Sequence, residues 1–283
     1  MYVRVSARPY LSVCTIFRDQ AQYLEEWIEF HRLVGAERFF LYNNDSTDNH
    51  REVLAPYLDE GIVVLHDWPV RFPAAVPSAF THCLEEHRED SRWIAFIDLD
   101  EFLFSPQLVP VTELLPEYER HSALCVVELD FGTSGHISEP PGLVTENYLH
   151  RWNPPETSAV KCIVDPTRTR RAQSAHRFAY YEGCAVDELH RPIKGQADDA
   201  PPTTINMDGW TTTTPSFEKL RINHYWSMSE EAALRKLERW NEGDQPRPLK
   251  WVKRQIARRN DVRDDLITHY VPALREALAR RGR

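Results

Sequence analysis

The chain has 283 residues, a formal net charge of −9, 42% hydrophobic residues and 27% charged ones. This is ordinary globular composition, long enough for one large α/β domain. The acidic balance argues against non-specific nucleic-acid binding, which needs a basic surface, and no run approaches the ~20 apolar residues of a membrane-spanning helix.

Met1 to Pro9 lacks the apolar core of a signal peptide. The five cysteines, Cys14, Cys83, Cys125, Cys162 and Cys184, form no CxxC pair and read as small buried hydrophobes in a reducing compartment. Both features point to the cytosol.

Tyr10 to Phe17 reads as the first strand and Gln20 to Val34 as a helix. Leu24, Trp27, Ile28 and His31 fall on one face of that helix, and Gly35 sits at its C-terminal end. Arg38 to Tyr42 is a second apolar strand, followed by the turn and cap residues Asn43 to Asp48. A helix from about Asn49 to Leu58 closes at Gly61. Ile62 to Leu65 is the third strand, and a helix near Ser78 to Arg88 precedes a fourth strand beginning at Trp93. The order β-α-β-α-β-α-β with short connections predicts a parallel sheet with right-handed crossovers. The polar turns near Arg18, Asn44, Asp67 and Asp98 then lie on one sheet edge and line a single crevice. No Gly-rich phosphate loop is present.

The fourth strand matters most. Trp93 to Phe104 is an apolar run broken by Asp98, Asp100 and Glu101. If the chain stays extended, Asp98 and Asp100 share one face, with Cα atoms about 6.6 Å apart. Two such carboxylates repel each other unless a cation lies between them, and magnesium or manganese suits an oxygen site of this kind. The alternative is a solvated strand end whose acids cap the next helix. A nucleotide in the crevice would then have its phosphate charge met by the metal.

Beyond Phe104, Leu124 to Phe131 is a strand leading into Gly132 to His136. Residues 137–214 read as short strands and long loops, and Leu220 to Trp226 as a short extended segment. A helix follows, capped by Ser229, and the chain ends in helical patterns. The stretches Lys250 to Arg259 and Arg275 to Arg283 are rich in arginine and lysine. They could make a peripheral contact with an anionic membrane or a polymeric acceptor; a solvated helix face is the alternative. There is no internal repeat.

Asp98-Leu99-Asp100 resembles the DxD motif of metal-dependent, nucleotide-sugar glycosyltransferases of the GT-A fold. Residues 14 to 31, with Tyr23-Leu24, Glu26-Trp27 and His31, resemble the opening of glycosyltransferase family 2 and family 92-like proteins. Tyr42 to Asp48, Ile97 to Phe102, Phe131 to His136, Lys161 to Val164 and Asn223 to Tyr225 resemble later blocks in the same order, together covering roughly residues 10 to 240. Arg18-Asp19-Gln20 departs from the usual Lys-Asn-Glu, and Glu128 stands where an aromatic residue is common.

The resemblance implies a single α/β domain of GT-A type, with a mostly parallel sheet flanked by helices. Its nucleotide-binding half is about 10–104, a loop-rich acceptor half about 105–240, and a helical extension about 241–283. It implies a glycosyltransferase, a hexosyltransferase in the first instance, that moves a sugar from a UDP-sugar to a glycan or other hydroxyl acceptor. Manganese or magnesium would be required, and the anomeric configuration would invert. Thr15, Arg18 and Asp45 would lie near base and ribose, Asp98 near ribose or sugar, and Lys161 near the diphosphate. Asp100 and His224 would bind the metal; read without the family, a lone histidine in such a strand is a hydrogen-bonded core residue. The base that deprotonates the acceptor would be Asp130 or Glu128, with Asp130 preferred; a surface pair on an edge strand is the alternative. A metal-dependent nucleotidyl or phosphoryl transferase, or a non-catalytic sugar-binding module, remains the alternative function.

Overall fold

The computed structural model describes residues 8–153, 159–193, 215–241 and 246–282. Residues 1–7, 154–158, 194–214, 242–245 and Arg283, all within segments read above, lie outside the described residues.

In the first part, β1 (Leu11–Phe17), β2 (Arg38–Asn43), β3 (Val63–Asp67) and β4 (Trp93–Phe96) alternate with α1 (Ala21–Leu33), α2 (His50–Asp59) and α3 (Ala75–Glu86). The four strands pair in the order β3-β2-β1-β4, all parallel. The chain moves one way across this sheet through β1, β2 and β3, then back to β4. Right-handed crossovers therefore put α1 and α2 on one face and α3 on the other. Covered on both faces, β2 is buried from Phe39 to Asn43, which explains its unbroken apolar run. Past the end of α1, Gly35 has φ +107°, and a Cβ there would meet Thr112 Oγ1 at 2.7 Å. Both facts demand glycine.

The run from Trp93 does not stay extended, which corrects the geometry expected of the two aspartates. β4 stops at Phe96, and Glu101 N donates to Asp98 O at 3.1 Å, closing a turn. The period-two alternation of a strand therefore does not set how Asp98 and Asp100 face, although both line the crevice. An apolar run shows that a strand is buried but not where it ends.

β5 (Glu101–Phe104) follows at once. The remaining elements are α4 (Val111–Leu114), β6 (Ala123–Asp130), α5 (Val144–Asn147), β7 (His150–Arg151), β8 (Val160–Val164), β9 (Thr169–Ala172), β10 (Phe178–Tyr180) and β11 (Ala185–Val186). After them come β12 (Arg221–His224), α6 (Glu230–Asn241), α7 (Leu249–Ala257), β13 (Val262–Arg263) and α8 (Val271–Arg281). The sheet continues from β4 as β8-β6-β12-β5, with β11 beside β6. Only residues 97–100 join β4 to β5, yet three strands lie between them in the sheet. The sheet must curl until its far edge returns to the end of β4. The result is the α/β architecture expected from the sequence, a mostly parallel sheet in which β5 and β8 run antiparallel.

Strand polarity decides where the polar residues go. β8 is antiparallel to both β4 and β6, and β12 is parallel to β6. β1 to β4, β6 and β12 therefore all end at the same sheet edge. β5 and β8 run the other way, so Glu101, which opens β5, and Lys161, the second residue of β8, lie near that edge. β6 lies between β8 and β12 and is not an edge strand.

A large core fills both faces of the sheet. A small second core, Trp226, Ala233, Leu237 and Val252, joins α6 to α7. Ser229 Oγ accepts from Ala232 N at 3.1 Å and caps α6, as its sequence indicated. Several cations of the basic C-terminal stretch pair within the fold: Arg259 with Asp130, Arg275 with Glu146, and Arg281 with Glu29 and Glu60. Four cysteines are buried as expected, but Cys184 is exposed. No helix among the described residues is long and apolar enough to cross a membrane.

Candidate functional site

At the strand ends lies a crevice of about 760 Å³, within the ~300–1,000 Å³ range of small-molecule sites. Ile16, Phe17, Arg18 and Gln20 line it from the end of β1, and Asn44 and Asp45 from the end of β2. Pro69, Val70, Arg71 and Phe72 come from the loop after β3, Ala75 and Val76 from α3, and Asp98, Leu99 and Asp100 from the turn after β4. The last wall residue is Lys236 of α6. Asp45 takes a left-handed φ of +60°, which aspartate tolerates better than most residues.

The residues singled out in the sequence divide into three groups. Arg18, Asp45, Asp98 and Asp100 line the crevice. Thr15 does not: β1 is central, and Thr15 is fully buried within it. Lys161 is also buried, and its Nζ donates to Asp98 Oδ2 at 2.7 Å and lies 3.5 Å from Glu101 Oε1. Burial disfavours its charge, but Asp98, Glu101 and Glu128 outweigh that and hold the ammonium above its usual range.

The third group meets behind Asp100. His224 pairs in register with Glu101 of β5 on one side and Asp130 of β6 on the other. Its Nε2 lies 3.7 Å from Asp100 Oδ1, and its Nδ1 lies 2.9 Å from Asp130 Oδ1 and 3.5 Å from Glu128 Oε2. Residues far apart in sequence thus converge because three strands reach one edge. Asp130 Oδ2 also accepts from Arg259 Nη2 at 2.7 Å, and Glu128 Oε1 lies 3.2 Å from His176 Nδ1. Neither acid is a surface pair on an edge strand.

The electrostatics follow from this packing. Burial opposes a charge on His224, yet Asp100, Asp130 and Glu128 together push its pKa well above the usual imidazole value. Burial likewise opposes ionisation of Asp100, but Lys236 and His224 hold its carboxyl below the usual range. Asp130 is held low against burial by His224 and Arg259. Glu101 differs: burial dominates the pull of Lys161 and raises its carboxyl.

His31 provides the contrast. Its Nδ1 lies 2.8 Å from Trp27 O, and its Nε2 accepts from Leu103 N at 3.2 Å. Burial takes it down to about 3. It is a neutral core histidine locking α1 to β5.

Among the described residues, two sets of side chains could hold a cation: Asp100, Glu101 and His224, and Glu128, Asp130 and His224. In each set the ligand atoms lie within 4.8 Å of one another. The first set fits a hard divalent cation better. Asp100 opens onto the crevice, where its partner Lys236 is partly exposed, whereas Asp130 is held by the buried Arg259. Buried Glu101 Oε1 accepts no hydrogen bond, which leaves it acceptor capacity that a cation site would use.

Sequence reasoning missed Lys236, Arg259 and His176 as members of this cluster, and named Glu101 among the acids of the fourth strand without giving it a place as a ligand. The signal for Lys236 was its place on the helix that directly follows the His224 strand. Arg259 sits in an arginine-rich run where no residue stands out.

A family model described as glycosyltransferase family 92 matches residues 10–235. A glycosyltransferase family 92 protein of Oryza sativa subsp. japonica is 34% identical over 179 residues, covering 61% of this chain and 30% of the relative. A family 92 protein of Arabidopsis thaliana is 32% identical over 187 residues, covering 61% and 32%. A galactan beta-1,4-galactosyltransferase of Arabidopsis thaliana is 29% identical over 216 residues, covering 72% and 38%. The chain thus spans about a third of the length of these relatives. Among solved structures, S. aureus TarS (1–349) aligns with a TM-score of 0.38 at 12% identity, over 56% of this chain and 47% of that one. GalNAc-T7 with UDP, GalNAc and Mn2+ aligns with a TM-score of 0.33 at 15% identity, over 44% and 23%.

Proposed function

Because the chain belongs to glycosyltransferase family 92, we propose that it transfers a hexose from a UDP-sugar to a glycan hydroxyl, with inversion and with a divalent cation. One observation carries the reading. Asp100, at the crevice wall, and His224, from a strand more than a hundred residues later, come within 3.7 Å beside Glu101.

In this reading the crevice takes the nucleotide, with Arg18 and Asp45 toward base and ribose and Asp98 toward ribose or sugar. Asp100, His224 and Glu101 hold manganese or magnesium, which meets the charge that develops on the departing diphosphate. Lys161 acts through Asp98, fixing the turn from below rather than touching the donor. Asp130 holds His224 by its Nδ1 side, leaving Nε2 toward Asp100, the arrangement by which a carboxylate orients a metal-binding histidine. With Arg259 on its other oxygen, Asp130 is badly placed to take up a proton, so its assignment moves from acceptor base to positioning residue.

The galactan relative makes a galactan oligosaccharide the first acceptor to try. The chain would be incubated with UDP-galactose, manganese and that acceptor. Release of UDP with a lengthened oligosaccharide supports transfer. Release of pyrophosphate from a nucleoside triphosphate and a sugar phosphate, with no lengthening, would establish nucleotidyl transfer instead.

A further inference from the structure

Two cations reach the site from outside the family match, which ends at residue 235. Arg259, just after α7, is buried and fixed. Its Nη1 donates to Gln255 O and Oε1 at 3.1 and 2.7 Å, and its Nη2 to Asp130. Lys236 is different. Its Nζ donates to Asp100 Oδ2 at 2.7 Å and to Trp226 O at 3.1 Å, and its side chain, 23% exposed, lines the crevice.

We propose that Lys236 is a ligand of the donor's diphosphate, held on Asp100 until a divalent cation takes that carboxylate. The inference rests on the donor reading above and adds a residue to it. His224 faces Asp100 Oδ1 and Lys236 holds Oδ2, so a divalent cation on Oδ1 would repel the ammonium on the other oxygen of the same carboxylate. That repulsion favours exchange of Lys236 onto a nearby anion. Its helix is anchored by Ala233 and Leu237 against Val252 and Trp226, so the stem stays at the crevice while the head group swings. A lysine suits this exchange: it is a compact charge on a flexible stem, with three donors and no fixed fork. Arg18 and Arg71 also line the crevice, and Lys236 is in direct contact with Asp100, where the cation and the diphosphate would meet.

Calorimetry on the whole chain tests this with three probes: manganese alone, then UDP and uridine, each with manganese. Lys236→Met keeps the apolar stem over Trp226 and removes the charge. Manganese alone should bind it at least as tightly as the parent, because the competitor for Asp100 is gone. UDP should bind roughly 10- to 100-fold more weakly, the loss of a charge-assisted contact, and uridine unchanged. Lys236→Arg should recover part of the UDP affinity. UDP binding to Lys236→Met at parental strength overturns the proposal, and so does an equal loss of UDP and uridine, which would mark a damaged crevice. Failure of the donor reading shows earlier and separately, as a parent chain that binds no UDP with manganese.

Discussion

His224 and Asp130 face each other in register across the β12–β6 pair, with Nδ1 2.9 Å from Oδ1. This relationship fixes what each can do. The imidazole has one side committed to Asp130 and the other turned to Asp100 at 3.7 Å. The carboxylate, shared with Arg259, serves the ring rather than the solvent.

Asp130→Asn should therefore weaken manganese binding by about 10- to 100-fold, the usual cost of removing a carboxylate behind a metal-binding histidine. Calorimetry with manganese alone reads this directly. Unchanged manganese affinity with turnover down by about 10²- to 10⁴-fold would return Asp130 to the role of acceptor base.

His224 should release a proton when manganese binds. Its folded-state pKa is raised well above 6.5 by the surrounding acids, so the cation-free ring is charged at pH 7, and only a neutral nitrogen can ligate. Manganese affinity should rise with pH until the raised pKa is passed. The charged ring also stabilises the cation-free fold: that contribution is complete below the unfolded pKa and fades as pH rises through the folded one. Repeating the calorimetry in two buffers of different ionisation enthalpy measures the proton. No proton release would place His224 outside the ligand set.

Much of this fold is legible in the sequence because it is local. The apolar runs at Leu11, Phe39 and Val63, and the 3.6-residue spacing around Leu24, Trp27 and Ile28, identify β1 to β4 and their helices. Asp98, Asp100 and His224 also stand out by type. What does not show is what distant strands do to one another. Nothing near Asp130 announces that His224 will pair beside it, since that register depends on the whole sheet. The turn at Asp98 is hidden inside an apolar run, and Thr15 is withdrawn from the crevice by burial on both faces of β1. Lys236 and Arg259 look like members of solvated helices until the small core around Val252 turns them inward.

His31 should make the fold acid-sensitive in a way His224 does not. Its folded pKa is down at about 3, against 6.5 for an unperturbed ring, so the unfolded chain binds the proton first. Stability from the neutral ring is complete above pH 6.5 and drains away as pH falls toward 3. Between pH 7.5 and 5.5 the loss is roughly 1 kcal/mol. His31→Leu, though less stable at pH 7.5 for want of the Leu103 hydrogen bond, should show a flatter decline over that interval in denaturant titrations. Parallel declines in the two proteins would contradict this.

Gly132→Ala should damage the site from behind. A Cβ at residue 132 would meet Arg259 O at 2.4 Å and Asn260 Oδ1 at 2.8 Å. The backbone that delivers Arg259 to Asp130 would have to move. A drop of about 1–3 kcal/mol is the usual cost of such overpacking, and manganese affinity should fall with it. A variant with parental melting temperature and metal affinity would mean that the Arg259 segment yields freely.

If Asp100 and His224 together hold a divalent cation, donor binding should depend on it. Titration of UDP into this chain with manganese present, and again with excess chelator, reads that dependence. UDP should bind with manganese and lose at least about tenfold in affinity with chelator, since the diphosphate would then face Asp100 and Asp98 without a counterion. Equal affinity in the two titrations would contradict it.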